Sequence, residues 1–314
     1  MTDQTGDRRD PTAAENAAAG GTGADDRGAQ DISPLRDFGR SFAHALRSNP
    51  LTAFAMVLLI LFLGSALLGE WIAPYDPLAT SSRTLQAPSW AHPFGTDSLG
   101  RDILSRTIVA ARVDLGIAVA AVSISFVLGL AVGACAGYFG GWTDRLTGRA
   151  VDTIMAFPLF VLAMGIVAAL GNTIWNVIYA TAIINLPFYI RFARAEVNAR
   201  REAGFVEAAR LSGNGPLRVL GVHLVPNILP PMMVQISLNM GWAILNAAGL
   251  SFIGLGVRPP TPEWGIMVSE GANYIFSGQW WVFFFPGMAL ALAVFCFNLL
   301  GDGLRDILDP RGRT

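Results

Sequence analysis

Residues 115–139 read LGIAVAAVSISFVLGLAVGACAGYF and contain no charged side chain. An α-helix rises about 1.5 Å per residue, so roughly 20 residues cross about 30 Å of hydrocarbon. This stretch is long enough to span a bilayer. Gly129, Gly133 and Gly137, with Gly141 just beyond, recur every four residues. That spacing lays a smooth stripe along one helix face, suited to close contact with a neighbouring helix. A gating hinge is the other reading of the same stripe.

Working outward, five more charge-free runs are long enough to cross: 51–69, 153–170, 173–190, 228–257 and 280–300. The run at 228–257 is long for one crossing. Only Gly171 and Asn172 separate the third and fourth runs, which suits a tight helical hairpin. The expected fold is an all-α integral membrane protein with six transmembrane helices. Composition agrees: 53% of the 314 residues are hydrophobic and 14% charged, against about 25% charged in soluble domains. A net charge of −1 offers no basic field for nucleic acid.

All 22 basic residues are Arg. Without Lys the chain cannot build a phosphate-binding P-loop or a Schiff base. Cys135 and Cys296 both fall inside apolar runs and read as small buried residues rather than a disulfide or metal pair. Residues 1–33, rich in Ala, Gly, Asp and Thr, are expected to be a disordered tail. The first apolar run starts too late for a secretory signal peptide.

Arg placement orients the bundle. With the N-terminus in the cytoplasm, 17 Arg lie on the cytoplasmic side and 5 outside, as the positive-inside rule requires. Trp71, Trp142, Trp175, Trp280 and Trp281 sit near span ends, as an aromatic belt does. The expected division is a cytoplasmic tail at 1–33, then a first transmembrane helix with its flanks at 34–77. An extracytoplasmic loop with an amphipathic helix follows at 78–114, then a five-helix core at 115–302 and a second cytoplasmic tail at 303–314.

The core contains a charged cytoplasmic loop, 191–227, with six Arg and three Glu. Gly204 interrupts an arriving helix, residues 205–212 form a short second one, and Gly213 supplies a left-handed end. Asn214, Gly215 and Pro216 turn the chain into another helical piece, and Pro226 opens the next span. The product is a small rigid projection, suited either to docking in a groove of another protein or to serving as a solvated connector.

Three further features are informative. In 97–112, Ile103, Leu104, Thr107, Ile108 and Ala111 share one helical arc, and Arg101, Asp102, Ser105, Arg106 and Arg112 the other. Asp102 and Arg106 are spaced to pair. This reads as a helix lying on the outer membrane face, or as a plug against the bundle. In the fifth span Gln235, Asn239, Trp242 and Asn246 share one face, either lining a substrate path or bonding between helices. Asp144, Arg145, Arg149 and Asp152 crowd the link between the second and third runs, as interfacial anchors and ion pairs or as a secondary docking contact.

The segment Glu207-Ala208-Ala209, Gly213, His223-Leu224-Val225-Pro226-Asn227 resembles the EAA loop of ABC importer permeases. SNPLTAFAMVLL (48–59), IAPYDP (72–77), HPFGTDSLGRDILSRTIVAARVDL (92–115) and LSFIGLGVRPPTPEWGIMVSEG (250–271) resemble the C-type permease of dipeptide, oligopeptide and nickel importers. Departures are Ser212, where Ala or Leu is frequent, and Asp114, where Ser is common. The resemblance implies a type I importer (MetI-like) core in the bacterial cytoplasmic membrane, with both termini cytoplasmic. Phe205, Glu207, Ala208, Ala209, Arg210, Gly213, His223 and Pro226 would then contact partner ATPases. Two ATPase subunits or domains, a B-type permease and an extracytoplasmic binding protein are the implied partners. ATP and Mg would be used by the ATPases, with no cofactor on this chain. The resemblance also implies that the 97–112 helix leads into the second span and meets the binding protein. Glu263 and Trp264 lie in the outer PPTPEWG turn, which Pro259, Pro260 and Pro262 stiffen and which could guard the outer gate.

No ionisable residue lies within the six runs, against a proton- or ion-driven carrier. No nucleophile–base or metal-ligand constellation appears, against an enzyme. A passive channel or carrier and a membrane scaffold are the competing readings, and neither needs an EAA-like loop.

Overall fold

The computed structural model describes residues 50–308. The expected tail at 1–33 and the chain end beyond 308 lie outside the described residues. Every element named below is helical; among the described residues the only isolated β-bridge joins Thr96 and Asp102.

Helix α1, Pro50–Ile72, is apolar all round and buries only Thr52, Ala55, Leu58 and Gly69. A helix with this surface is stable only in a hydrocarbon solvent. It packs on α2, Ile103–Phe139, the central element. At 37 residues, α2 is about 55 Å long, so it extends beyond the hydrocarbon. Asp102 caps it, accepting from the Ser105 N–H. The amphipathic stretch and the second span are therefore one continuous helix.

The expected third span is not one helix. It divides into α3, Gly141–Met155, and α4, Leu159–Leu170, bent by 85° at the break. Pro158 supplies the reason: it has no N–H to continue the ladder and forces residue 157 out of helical geometry. Helix α3 is largely exposed, with only Val151 buried. Helix α5, Ile174–Arg200, starts at a Thr173 cap and runs past the expected end of its span into charged sequence. The Asn172 side chain, in the turn before it, donates to the Gly254 carbonyl.

The loop helix α6, Gly204–Leu211, is followed by a single turn, α7, Pro216–Arg218, and by π-helix at Val219–Leu224. In a regular α-helix the Val222 carbonyl would pair with the N–H of residue 226. Pro226 has none, and the wider winding ends there. Helix α8, Val225–Phe252, follows directly. Then come α9, Trp264–Ala272, and α10, Trp281–Leu308.

By length and composition four helical stretches qualify as spans: α1, α2, Pro216–Phe252 and α10. The bent pair α3–α4 makes a fifth if taken as one crossing. Helix α5 is long enough but too polar to qualify, with Asn176 and Asn185 inside it and three Arg in its last three turns. The six-span count is thus not reproduced by this criterion.

The most extensive helix packing is α2 against α5. A Cβ added to Gly133 would lie 2.4 Å from the Ile190 carbonyl oxygen, and one on Gly129 2.4 Å from Tyr189 Cβ. The expected stripe is real at Gly129, Gly133 and Gly137. Gly141 leaves it and opens α3 with nothing packed on it.

Candidate functional site

The 201–227 loop sits at the C-terminal end of α2. Ala203 precedes α6, and Val206 and Ala209 turn inward. They join Ala134 of α2, Val197 of α5, Leu220 and Leu224 of the π-turn and Ile228 of α8 in one buried cluster. Tyr138 packs on its edge, and the Arg210 guanidinium lies 5.3 Å over that ring. Gly213 has φ +81° and ends α6 as expected. The Asn214 backbone and side-chain nitrogens both donate to the Ala209 carbonyl, at 3.3 and 2.9 Å.

The opposite face is bare. Phe205, Glu207, Ala208 and Arg210 are exposed. Leu211 and Leu217, either side of the Gly213 turn, are 83% and 74% exposed, and Val222 is also open. Single exposed apolar residues need no explanation, but a cluster rimmed by charge marks an interaction surface. His223 is half-buried, its carbonyl accepting from Asn227 at 2.6 Å, and Pro226 is exposed. Leu211 and Leu217 were not singled out from the sequence; their place beside the Gly213 turn was the available signal.

Gln235, Asn239, Trp242 and Asn246 do line one space, a cavity of about 390 Å³. Asn185 of α5 and Asn298 of α10 join them, with Phe160 and Phe188. Neither Asn was foreseen, although each is an isolated amide in an apolar run. Among the residues that line the cavity none is charged. The four stripe residues are not equivalent. Asn246 is half-buried and donates to the Trp242 carbonyl at 2.8 Å. Asn239 is buried, turned toward Tyr189 and Gln235 inside the bundle. Its Oδ1 accepts from Gln235 of the same helix at 3.4 Å, and its Nδ2 has no partner.

The α3–α5 contact is ionic, as expected of 144–152. Arg194 pairs with Asp144, its Nη2 donating at 2.6 Å, and Arg191 with Asp152 at 2.8 Å. Arg145 lies instead over the Trp142 ring.

At the far end of α2 a second ionic cluster corrects the reading of 97–112. Arg101, Asp102, Ser105 and Arg106 are buried, so the polar arc faces protein rather than headgroups. Arg101 donates to Asp97 at 2.6 Å and to Glu270 of α9 at 3.2 Å. Arg106 approaches the same two carboxylates at 3.7 Å. It does not pair with Asp102, which bonds His92 at 2.8 Å and Ser105. The plug alternative holds, and Arg112 alone keeps its exposed position, paired with Glu70.

A helical bundle with lipid-type outer faces, an uncharged amide-lined cavity and a bare-faced charged loop is that of a membrane-embedded transport component. Residues 125–314 match the family described as binding-protein-dependent transport system inner membrane component, and residues 33–88 the N-terminal TM domain of oligopeptide transport permease C. The chain belongs to the first of these families. It is 43% identical to the di/tripeptide transport system permease protein DppC of Pseudomonas aeruginosa, covering 89% of this chain and 93% of that one. The nickel transport system permease protein NikC of Escherichia coli K12 is 43% identical over 82% of this chain and 92% of its own length. The glutathione transport system permease protein GsiD of Escherichia coli UTI89 is 41% identical over 88% and 91%.

Proposed function

We propose that this chain is one transmembrane subunit of an ATP-driven importer in a bacterial cytoplasmic membrane, carrying di- or oligopeptides or a related small ligand inward. Six crossings, by α1, α2, the bent α3–α4 pair, α5, α8 and α10, would leave both termini and the α6 loop in the cytoplasm. The Arg distribution supports that orientation. A B-type permease completes the path, and an extracytoplasmic protein delivers the ligand. Two ATPase subunits or domains use the ATP and Mg.

Coupling runs through α6. Phe205, Glu207, Ala208, Arg210 and the Gly213 turn seat in the ATPase, while Ala209, His223 and Pro226 fix the loop to α8. Nucleotide-driven closure moves the loop as a rigid body and tilts the bundle. The cavity carries the ligand. Amides at Gln235, Asn246, Asn185 and Asn298 exchange weak hydrogen bonds with it, and Asn239 braces the wall. A passive channel or carrier is the alternative, and it has no use for a docking face.

The carrying observation is that bare face: Leu211 and Leu217, exposed beside charged neighbours on a loop whose other side is locked into the core. In the reconstituted complex, a single cysteine at Leu211 should crosslink to an ATPase subunit. Leu211→Asp should lower ATP-driven uptake at least about tenfold, the effect of losing about 1.4 kcal/mol, with the protein still inserted. Uptake by the chain alone, without ATPase or ATP, would establish the passive alternative.

A further inference from the structure

Helix α9 packs on α10, on α8 and on the start of α2, at the end opposite the loop. The Trp264 backbone N–H donates to Asp114 Oδ2 at 3.1 Å, and its indole N–H to the Thr107 carbonyl at 3.0 Å. A Cβ on Gly265 would lie 2.2 Å from the Ala248 carbonyl oxygen. Glu263 caps the helix, accepting from Gly265 and Ile266 at 2.9 and 2.7 Å.

Asp114 and Glu263 are both fully buried, and their carboxyls accept from successive N–H groups of one helix start, Trp264 for Asp114 and then Gly265 and Ile266 for Glu263. Asp114 Oδ1 has no donor to accept from. Among the described residues no ion pair joins a cation to either carboxyl, and Arg258, in the loop before Glu263, is exposed. On α2, Arg106 faces Asp97 and Glu270, and Arg112 faces Glu70 of α1. On α9, Glu270 faces Arg101 and Arg106. Helices α4 and α8 carry no charged residue, and those of α5 and α10 lie toward the opposite end.

Two ionised carboxylates only accept, so contact between them is a hydrogen bond only if one holds a proton. Glu263 is the better anion, with two backbone N–H donors at a helix start. We propose that Asp114 is a positioning residue that keeps a proton, its carboxylic acid donating to the Glu263 carboxylate and so seating α9 on α2. Burial also pushes the Glu263 carboxyl above its ordinary range, the direction of a pair that retains one proton. Nothing in this inference depends on the transport reading.

The sign of the pH effect follows. The unfolded Asp titrates near about 3.9, so above that pH folding takes up a proton. The pair's contribution is full below the unfolded value and is lost as pH rises toward the folded one, tenfold per pH unit in the folded-to-unfolded ratio. Asp114→Asn keeps the shape and supplies an N–H donor at every pH.

The test uses the full chain in lipid nanodiscs. Infrared spectroscopy at neutral pH should show a buried carboxylic-acid C=O band that Asp114→Asn removes. The thermal midpoint of the variant should gain on that of the wild type as pH rises from mildly acidic to mildly alkaline. Should Asp114→Asn fail to fold, Glu263→Gln serves, since its amide donates to an ionised Asp114 and likewise removes the band. Absence of the band from the wild type, or a midpoint gap that does not change with pH, overturns the proposal.

Discussion

Gly133 stands where the α2 and α5 backbones nearly touch. Any side chain there meets the Ile190 carbonyl at 2.4 Å and Ala193 Cβ at 3.0 Å. A backbone neighbour cannot rotate away, so the helices must part and lose the contacts on either side. Gly133→Val should cost about 1–3 kcal/mol, the range for overpacking a filled core. A lowered thermal midpoint of the purified protein would show it. Gly64 of α1 has nothing within 4 Å of an added Cβ, so Gly64→Ala should leave the midpoint level or raise it through helix propensity. Equal effects at the two sites would mean the stripe does not hold the helices. The four-residue glycine period was readable from sequence. The partner was not, because nothing in the spacing says that α5 supplies Tyr189, Ile190 and Ala193 to fill it.

At the scale of elements, the plug formed by 73–102 and the start of α2 is held by charge, of which Asp97, Arg101 and Arg106 are buried and Glu270 half-buried. Asp97 pairs with Arg101 and Arg106 together, and Glu270 on α9 lies 3.2 and 3.7 Å from the same two guanidinium groups. Removing one charge from a buried group of this kind strands the others, at about 3–5 kcal/mol. Asp97→Asn should therefore loosen the segment, seen as faster limited proteolysis within 73–102. Arg112→Ala, which breaks an ion pair open to solvent on both sides, should change cleavage little. Equal cleavage in the two variants would count against the buried cluster. Helical periodicity held only from Ile103, since Arg101 and Asp102 precede the helix, and residues of both expected arcs are buried. What decided between membrane face and plug was Glu270, about 170 positions away, which periodicity does not register. The broken third run is a different case: Pro158 was in plain view, and uninterrupted hydrophobicity outweighed it in the reading.

Across the whole molecule, the proposed coupling requires a loop at one end to move a path in the middle. The connection is the buried cluster of Val206, Ala209, Leu220, Leu224 and Ile228, which joins α6 to α8, the helix that carries the cavity face. The loop's turn chemistry, its Gly213 end and the run of amides along α8 were all legible, because glycine, proline and isolated polar residues act locally. The π-helical winding at Val219–Leu224 and the inward turn of Asn239 were not, since both depend on how α8 meets α2 and α5. If force passes through this cluster, its stiffness matters more than any contact with nucleotide or ligand. Leu224 is fully buried within it, and Leu224→Ala should leave a cavity costing about 2–5 kcal/mol while leaving the bare face of α6 in place. In the reconstituted importer the ATPase should still engage and hydrolyse, but less ligand should move per ATP. Measuring uptake and hydrolysis in the same vesicles gives that ratio directly. A ratio equal to the wild type's, with both rates reduced together, would mean that motion reaches the bundle by another route.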